Sequence, residues 1–397
     1  MKRKLQLSGL IVLLITIGIF AAWATAPDPK YNIASFEDTP LQPAIAPLDK
    51  AITLAQFHDE ADVTHTMLVT GFAGDTVIGI DLVAMGAKPE DDPFAALASL
   101  PRLPQSAADI ADLPTTTMVM SRLLPSGSSG ERHIGTGTNF PEHAEEANSG
   151  SVFQFPKFGA ATPARTEVQA RPGILLDYEV ELCMRFDRDI ASLADFDAAV
   201  KSVFLCGDFT NRNALVELAD PDNLDSGSGF SDAKSGPDFF PTGPFLVIPK
   251  DWRSFVAELR MTTMVNDEAR QDARGGEMTL DFRQLVTKAL GDMAEPRFLY
   301  KADRVYLAND RKIAKDMTLM SGTAEGTIFT PPSRADIIEG VLRYAANGGP
   351  LSEQGLIDTA KAQFIENELQ SGHFLQAGDR VEHGSTYLGS IEVTVAE

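Results

Sequence analysis

Three acidic residues in two apolar stretches are the part of this sequence best suited to chemistry. Glu179 and Glu181 alternate with apolar residues in the segment LLDYEVELCMRF, and Asp208 follows the apolar run VFLCG. Residues i and i+2 of a strand point to the same face. Two buried glutamates on one face would repel each other, and burying them without partners costs free energy. A divalent cation removes that cost, and an all-oxygen ligand set suits Mg²⁺, with Mn²⁺ or Ca²⁺ as alternatives.

A histidine and a glutamate at H-x-x-E spacing form the second candidate group. His143 and Glu146 would share one face of a helical turn, because residues i and i+3 are neighbours there. A carboxylate that binds one ring nitrogen fixes the tautomer and leaves the other nitrogen as a base. Glu145 is an alternative partner. The alternative without a functional role is a surface turn with a solvated histidine. For the strand, the corresponding alternative is a solvated pair of glutamates.

Strand-like runs carry the acidic residues, and helical patterns lie between the runs. Apolar runs at 174–186, 203–209, 245–248 and 257–265 predict strands, and Gly74-Asp75 between two β-rich runs predicts a hairpin. Apolar residues spaced by three or four predict helices in SLADFDAAVKSV, TLDFRQLVTKALG and ADIIEGVLRYAANG. Proline-rich and small polar residues indicate connecting segments at 27–50 and 101–130. The fold class predicted is mixed α/β and β-rich.

Charge and the first residues limit the classes of function. The formal net charge is -22 and the sequence pI is about 4.6, which argues against nucleic acid as a partner. Three basic residues, Lys2, Arg3 and Lys4, precede an apolar run at 7–23. This pattern is typical of a signal peptide or a membrane anchor, here residues 1–26. We therefore expect a membrane-anchored or exported protein whose body lies outside the cytoplasm.

Two cysteines, Cys183 and Cys206, lie in the apolar runs beside the acidic residues. An oxidising compartment would permit a bridge between them. The sequence favours two buried free thiols, because free cysteine behaves as a small apolar side chain. Neither cysteine has the sequence neighbours of a reactive nucleophile.

Seven motifs in the same order resemble the fumarylacetoacetate hydrolase superfamily, and the resemblance covers roughly residues 130–397. The motifs are GTGTNFPEHAEE, DYEVEL, GDFTNR, KSGPDFFPTGPFLV, VNDEARQ, MSGTAEG and the closing FLQAGDRVEHGSTYLGSIEVTV. The resemblance implies a rolled β-sheet catalytic domain at 131–397 that follows a linker and a small N-terminal β subdomain at 27–130. A segment near 331–370 reads as an inserted pair of helices, which would serve as a lid, as an oligomer contact or as a decoration of one branch of the family. The family often forms homodimers.

The resemblance also assigns roles to residues of this chain. It implies that the dyad His143–Glu146 activates water and that the three carboxylates hold the metal ion. Lys234 would stabilise negative charge beside the metal, and Thr323 would bind the substrate carboxylate. Gln271 would contact the substrate or order the neighbouring loop. Arg212, four residues after Asp208, would pair with a metal carboxylate or with substrate, and a structural ion pair is equally consistent with the sequence.

The activity implied is hydrolysis of a C–C bond in an acylpyruvate or a fumarylacetoacetate-like dioxo acid. The alternatives are a decarboxylase, hydratase or isomerase of 2-oxo acids on the same scaffold, and a non-catalytic metal-binding protein. Three positions depart from the family pattern: Phe140 replaces a tyrosine, Asp267 a glycine and Ala324 a proline. Since both the acidic triad and the dyad are intact, we expect a retained active site with altered substrate contacts.

Overall fold

Helices take up a minor part of the chain in this computed structural model, which describes residues 2–220 and 222–397. The α-helices of the described residues are α1 Lys2–Ala24, α2 Pro93–Ala98, α3 Pro141–Glu146, α4 Leu193–Ala198, α5 Arg212–Leu218, α6 Phe230–Lys234, α7 Trp252–Glu258, α8 Phe282–Gly291, α9 Arg334–Ala346 and α10 Leu356–Ser371. Short 3₁₀ turns lie at Leu82–Met85, Ala107–Asp109, Met120–Arg122, Leu224–Ser226, Gly275–Glu277, Asn309–Arg311 and Gly349–Leu351.

The β-strands form two large sheets of ten and five strands in the described residues, which makes the fold mixed α/β and β-rich, as predicted. In chain order the described strands are β1 Ala51–His58, β2 Thr64–Ala73, β3 Thr76–Asp81, β4 Thr116–Val119, β5 Arg132–Gly137, β6 Phe153–Phe158, β7 Arg165–Gln169, β8 Leu176–Asp177, β9 Val180–Phe186, β10 Lys201–Gly207, β11 Thr210–Asn211, β12 Leu246–Pro249, β13 Arg260–Val265, β14 Glu268–Arg274, β15 Phe298–Tyr300, β16 Asp303–Val305, β17 Leu319–Met320, β18 Arg380–Ser385 and β19 Gly389–Ala396.

Within the described residues, one large sheet holds ten strands in the order β4-β3-β2-β1-β12-β10-β9-β17-β5-β6. Strands β1–β4, from the predicted N-terminal unit, continue this sheet because β1 pairs antiparallel with β12. The central pair β9 and β10 is antiparallel from Lys201 opposite Phe186 to Gly207 opposite Val180. The small ladder β8–β11 follows directly beyond that pair. The predicted strand at 174–186 is therefore interrupted at Tyr178 and Glu179.

A second sheet of the described chain, in the order β14-β13-β18-β19-β7, packs against the middle of the first. Even-numbered residues of β9, such as Leu182 and Met184, join Met261 and Ile391 of the second sheet in the main hydrophobic core. Because side chains alternate along a strand, the odd-numbered residues of β9 face away from this core. That opposite side is where Glu181 lies.

The cysteines form a bond that the sequence interpretation did not favour. Cys183 in β9 and Cys206 in β10 are joined by a disulfide, with their Cα atoms 6.0 Å apart. The expectation of two free thiols is thus wrong. Phe204 lies opposite Cys183 in the ladder, so the two cysteines occupy diagonal positions on neighbouring strands. This separation lies within the usual Cα–Cα range of about 4.4–6.8 Å for a bridge.

Helix boundaries follow local signals in the sequence. The side chain of Ser333 accepts a hydrogen bond from the backbone N–H of Asp336 and caps the start of α9. Helices α9 and α10 occupy the segment predicted as an insertion, and the chain between them turns through Gly348 and Gly349, both at positive φ. Residues 257 and 258, predicted as strand, belong to the end of α7 instead.

The N-terminal segment is helical from residue 2 to residue 24. Met1 and the side chains of residues 2–10 and 12 lie outside the described part, so the basic residues before the apolar run are not among the described side chains. None of the described helices combines the length and the apolar character needed to cross a membrane. Trp23 donates from Nε1 to Glu339 Oε1 at 2.6 Å, which places the end of α1 against α9. Export or anchoring through residues 1–26 stays a prediction.

Candidate active site

The three predicted metal carboxylates come together on the side of β9 that faces away from the second sheet. Glu179 precedes β9, Glu181 lies within it, and Asp208 directly follows β10. The backbone N–H of Asp208 donates to the carbonyl of Glu179 at 2.9 Å, which aligns the two segments. One ligand oxygen from each carboxylate lies within 4.8 Å of the other two. All three residues are buried, so the alternative of a solvated glutamate pair is wrong.

Two buried lysines neutralise part of this acidic cluster. Lys234, at the end of α6, lies 2.7 Å from Glu179 Oε2 and 3.0 Å from Asp208 Oδ2. Lys157, in β6, lies 2.7 Å from the other oxygen of Asp208 and donates a second bond to the carbonyl of Phe239. A buried ammonium needs paired charges and hydrogen bonds, and both lysines have them.

A buried arginine closes the other side of the cluster. Arg212 donates from Nε to Asp177 Oδ2 and from Nη2 to Glu179 Oε1, each at 2.8 Å. Asp177 also accepts hydrogen bonds from the backbone N–H groups of Ile328 and Phe329, each at 3.1 Å. Arg212 therefore makes the predicted ion pair with a metal carboxylate. Through Asp177, the same network also orders the loop that follows Thr323.

The charges shift the carboxylate pKa values in opposite directions. Burial alone would raise the pKa of Glu179, but Lys234 and Arg212 outweigh it and lower that pKa to about 2. Burial, reinforced by the charges of Asp208 and Glu179, raises the pKa of Glu181 well above its ordinary value. Burial likewise opposes the charged form of Lys234, yet Asp208 and Glu179 raise its pKa. Glu181 is thus the carboxylate whose negative charge is least compensated by the protein.

The acidic cluster fits a divalent cation. Glu181 Oε2 accepts the backbone N–H of Gly322 at 2.8 Å, whereas the buried Oε1 has no hydrogen-bond partner among the described residues. Four buried carboxylates, with Asp177 included, face only three cationic side chains, so ionisation of all seven groups leaves a negative charge uncompensated. Oxygen donors and surplus negative charge are what Mg²⁺, Mn²⁺ or Ca²⁺ require. The residues that could hold the ion are Glu179, Glu181 and Asp208.

The histidine and the glutamate at H-x-x-E spacing are in direct contact. His143 Nδ1 lies 2.9 Å from Glu146 Oε2 on the short helix α3, and both side chains are largely buried. Glu146 Oε1 accepts the backbone N–H of Gly326 at 3.0 Å, which fixes the carboxylate from its other side. Glu145 is exposed, so it is not the partner. A carboxylate bound at Nδ1 leaves Nε2 of His143 as the proton acceptor.

One cavity of about 380 Å³ is lined by the dyad and by Glu179 of the acidic cluster, whereas Glu181 and Asp208 are not among its lining residues. Its polar lining includes six of the predicted site residues: His143, Glu146, Glu179, Arg212, Lys234 and Thr323. A volume of this size is within the usual range for a small-molecule site, about 300–1,000 Å³. The arrangement can bind an anionic substrate at the cationic side chains and present it to a base.

Two predicted substrate contacts are engaged with the protein itself. Gln271 donates to Thr323 Oγ1 and to the carbonyl of Ala324, each at 2.9 Å. Its own oxygen accepts from Val180 N–H and from the hydroxyl of Thr263. This geometry favours the interpretation in which Gln271 orders the neighbouring loop. Thr323 lines the cavity, and its hydroxyl donates to the carbonyl of Val180.

Lys157 and Asp177 are site residues that sequence reasoning missed. Lys157 is fully buried in the strand FQFPKF, where a lone lysine among apolar residues is the available signal. Asp177 lies two residues before Glu179, at the same spacing that drew attention to Glu181. A third acid at i and i+2 spacing could therefore have extended the predicted cluster.

The segment predicted as a linker at 27–50 contacts the loop behind the dyad. Asn32 donates from Nδ2 to the carbonyls of Phe329 at 2.7 Å and Thr327 at 3.2 Å. The backbone N–H of Asn32 also donates to Thr327 O at 2.9 Å. The backbone N–H of Gly326 in this loop donates to Glu146, so the N-terminal segment supports the position of the dyad through the loop.

We expect Asn32→Ala to lower kcat of the active enzyme severalfold, because the loop that holds Glu146 loses two hydrogen bonds worth about 0.5–1.5 kcal/mol each. Steady-state kinetics of the purified variant measure this effect. Glu37→Ala is the matched control, since Glu37 lies on the same segment but pairs with Arg274 and Arg260. Unchanged kcat in Asn32→Ala would show that the segment does not position the loop.

The chain is similar to one known protein family and to several solved structures. The family model described as "Fumarylacetoacetate (FAA) hydrolase C-terminal" matches residues 132–396. A search of curated protein sequences found no match. Among solved structures, a fumarylacetoacetate hydrolase from psychrophilic Exiguobacterium antarcticum is 16% identical, with 87% of this chain and 99% of that chain covered at a TM-score of 0.50.

Two further solved structures are similar at the same level of identity. The protein Cg1458, solved with an inhibitor, is 15% identical, with 87% of this chain and 99% of that chain covered at a TM-score of 0.51. A 2-hydroxyhepta-2,4-diene-1,7-dioate isomerase from Mycobacterium marinum is 15% identical, with 87% and 98% covered at a TM-score of 0.49. At such low identity, the similarity to solved structures speaks only for the fold.

Proposed function

This chain belongs to the fumarylacetoacetate hydrolase family, and we propose that it is a metal-dependent hydrolase of a C–C bond in an acylpyruvate or related dioxo acid. The observation that carries the proposal is the cavity that the dyad His143–Glu146 shares with Glu179, the member of the acidic cluster that reaches its lining. A base and a site for a Lewis acid in one pocket are the two requirements of this reaction.

Three carboxylates, those of Glu179, Glu181 and Asp208, would hold the metal ion, with Mg²⁺ favoured over Mn²⁺ or Ca²⁺. When bound, the ion supplies Lewis-acid stabilisation of negative charge on the substrate oxygens. Lys157 and Lys234 keep the acidic cluster assembled, because both pair with Asp208 from opposite sides. Lys234 also lines the cavity, where its ammonium group can offset charge that develops on the substrate.

His143 would take a proton from water at Nε2, while Glu146 stabilises the resulting imidazolium through Nδ1–H. The hydroxide adds to the acyl carbonyl, and the bond between that carbon and the neighbouring CH₂ breaks. Its electron pair goes to the pyruvate fragment as an enolate. The imidazolium of His143 returns its proton to the enolate carbon to give pyruvate, and the acyl group leaves as the carboxylic acid. The sum is one dioxo acid and one water converted to pyruvate and one carboxylic acid.

The cationic end of the cavity would bind the substrate carboxylate. Arg212 and Lys234 both line the cavity. Arg212 bonds Asp177 through Nε and Glu179 through Nη2, so its Nη1 has donors left for an anion. The three donors of Lys234 already meet Glu179, Asp208 and the hydroxyl of Thr210, so Lys234 contributes its positive charge rather than a free donor. At Thr323 the backbone N–H, rather than the side chain, would contact the substrate carboxylate, because the hydroxyl donates to the carbonyl of Val180. A decarboxylase, hydratase or isomerase of 2-oxo acids would use the same binding end, but the oriented dyad favours hydrolysis.

Removal of the metal provides the first test of the function. We expect an acylpyruvate series to be cleaved to pyruvate and a carboxylic acid with Mg²⁺ or Mn²⁺ present, and EDTA to abolish turnover until the metal is restored. Loss of dicarbonyl absorbance and a coupled assay for pyruvate measure the reaction. Metal binding without cleavage would instead favour decarboxylation, hydration or isomerisation, and a non-catalytic binder if those also fail. Homodimer formation stays a prediction.

A further inference from the structure

The cavity has a charged end and a long apolar wall. Leu215 and Val216 of helix α5 and Ala219 just after it line the cavity, and Leu224, Phe230 and Phe329 add to the apolar lining. Arg212 lies at the start of the same helix, so the apolar wall begins one turn beyond the proposed anion site. A substrate whose carboxylate binds Arg212 beside the charge of Lys234 would therefore extend its remaining part along apolar side chains.

A second negative charge on the substrate would find few partners along this wall. Among the described residues that line the cavity, Lys361 is the only lysine or arginine away from the charged end. Its Nζ donates to the carbonyl of Glu217 at 3.1 Å, in the last turn of α5. Carbonyls at a helix C-terminus lack intrahelical partners and attract cations, so Lys361 has a structural role as a cap.

We propose that the group carried on the acyl side of the substrate is an uncharged hydrocarbon chain of several carbons rather than a chain that ends in a second carboxylate. This inference rests on the proposed function, because it takes the 2-oxo acid end to lie at Arg212 and Lys234. Each methylene buried against the apolar wall tightens binding about fourfold, so a chain of several carbons decides substrate preference.

Binding of stable 2-oxo acids tests the inference without turnover. Calorimetry on the full-length, Mg²⁺-loaded protein compares pyruvate, 2-oxooctanoate and 2-oxosuberate, the last two being matched in chain length except for a terminal carboxylate. We expect 2-oxooctanoate to bind at least tenfold more tightly than either of the others. Equal affinities, or tighter binding of 2-oxosuberate, would overturn the inference. Loss of a 2-oxosuberate preference in Lys361→Gln would identify Lys361 as the group that binds the second carboxylate.

Two substitutions on α5 separate the cavity wall from the rest of the helix. Val216 lines the cavity, whereas Leu218 is half exposed and is not part of the lining. We expect Val216→Asp to weaken 2-oxooctanoate binding about tenfold and to leave pyruvate binding unchanged, while Leu218→Asp affects neither. Val216→Thr preserves volume and should give a smaller loss in the same direction, which covers the case in which Val216→Asp does not fold. No loss in either Val216 variant would overturn the inference.

The outcomes also distinguish this inference from the proposed function. Preference for 2-oxooctanoate without cleavage of any acylpyruvate would contradict the proposed hydrolase activity but not the inferred hydrocarbon chain. Cleavage with kcat/KM that does not rise with acyl chain length, together with equal binding of the two matched acids, would contradict the inferred hydrocarbon chain but not the hydrolase activity.

Discussion

His143→Ala is expected to lower kcat for acylpyruvate cleavage roughly 100- to 10,000-fold, the usual contribution of a positioned base. The substitution removes the ring nitrogen that accepts the proton. We do not expect Glu146 to replace it as the base, because its Oε1 is bound to the backbone N–H of Gly326. Metal affinity should stay within about twofold, since the predicted ligands do not include His143. Single-turnover kinetics and titration of Mn²⁺ by paramagnetic resonance measure the two quantities separately.

Glu145→Ala is the control for that experiment, because Glu145 lies on the same short helix, is exposed and makes no side-chain contact with the dyad. It should keep the kcat of the unmodified protein. Glu146→Gln should resemble His143→Ala more closely than the control does, because an amide no longer stabilises the imidazolium. Full activity in His143→Ala would rule out the dyad as the source of the base.

Glu181→Gln should raise the stability of the metal-free protein and abolish its function. The carboxylate of Glu181 is buried beside two others, and its Oε1 lacks a partner among the described residues. A neutral amide of the same shape removes that repulsion, so we expect the metal-free variant to unfold with a free energy about 1–3 kcal/mol higher than that of the metal-free native chain. The same change should abolish metal binding and turnover.

Thermal unfolding with EDTA and with excess Mg²⁺ measures this pair of effects. The native chain should gain stability with Mg²⁺, because a ligand that binds only the folded state raises the melting temperature. The Glu181→Gln variant should gain none. Glu167→Gln, an exposed glutamate in β7, should behave like the native chain in both conditions. A Glu181→Gln variant that still binds Mg²⁺ tightly would place the ion elsewhere.

The sequence predicted which acidic and histidine side chains come together better than it predicted the charges that surround them. Period-two spacing placed Glu179 and Glu181 on one strand face, and H-x-x-E spacing placed His143 beside Glu146. Both signals are local, and local spacing survives folding. The cations that hold the cluster together come from elsewhere: Lys157 lies 51 residues from its partner Asp208. Nothing within a few residues of Lys157 indicates which acid it will meet.

Register explains the wrong expectation for the cysteines. Whether Cys183 and Cys206 meet depends on how β9 slides against β10, and a shift of one residue would send one side chain to the other face. The apolar runs constrain the faces but leave the diagonal pairing open. The interruption of the predicted strand at Glu179 has a related cause, because Asp177 is recruited by Arg212 and two backbone N–H groups of a distant loop.

The disulfide has a consequence for the energetics of metal loading. Cys183 lies two residues after Glu181, and Cys206 lies two residues before Asp208, so the bridge joins the two strands that present the carboxylates. Gathering like charges in a small volume is unfavourable, and a covalent crosslink maintains that arrangement before any cation arrives. The proposed metal site would thus be preorganised, and an incoming ion would lose little affinity to reorganisation of its ligands. The redox state of the compartment would then tune how tightly the protein holds a metal ion at this proposed site, through strands that remain folded.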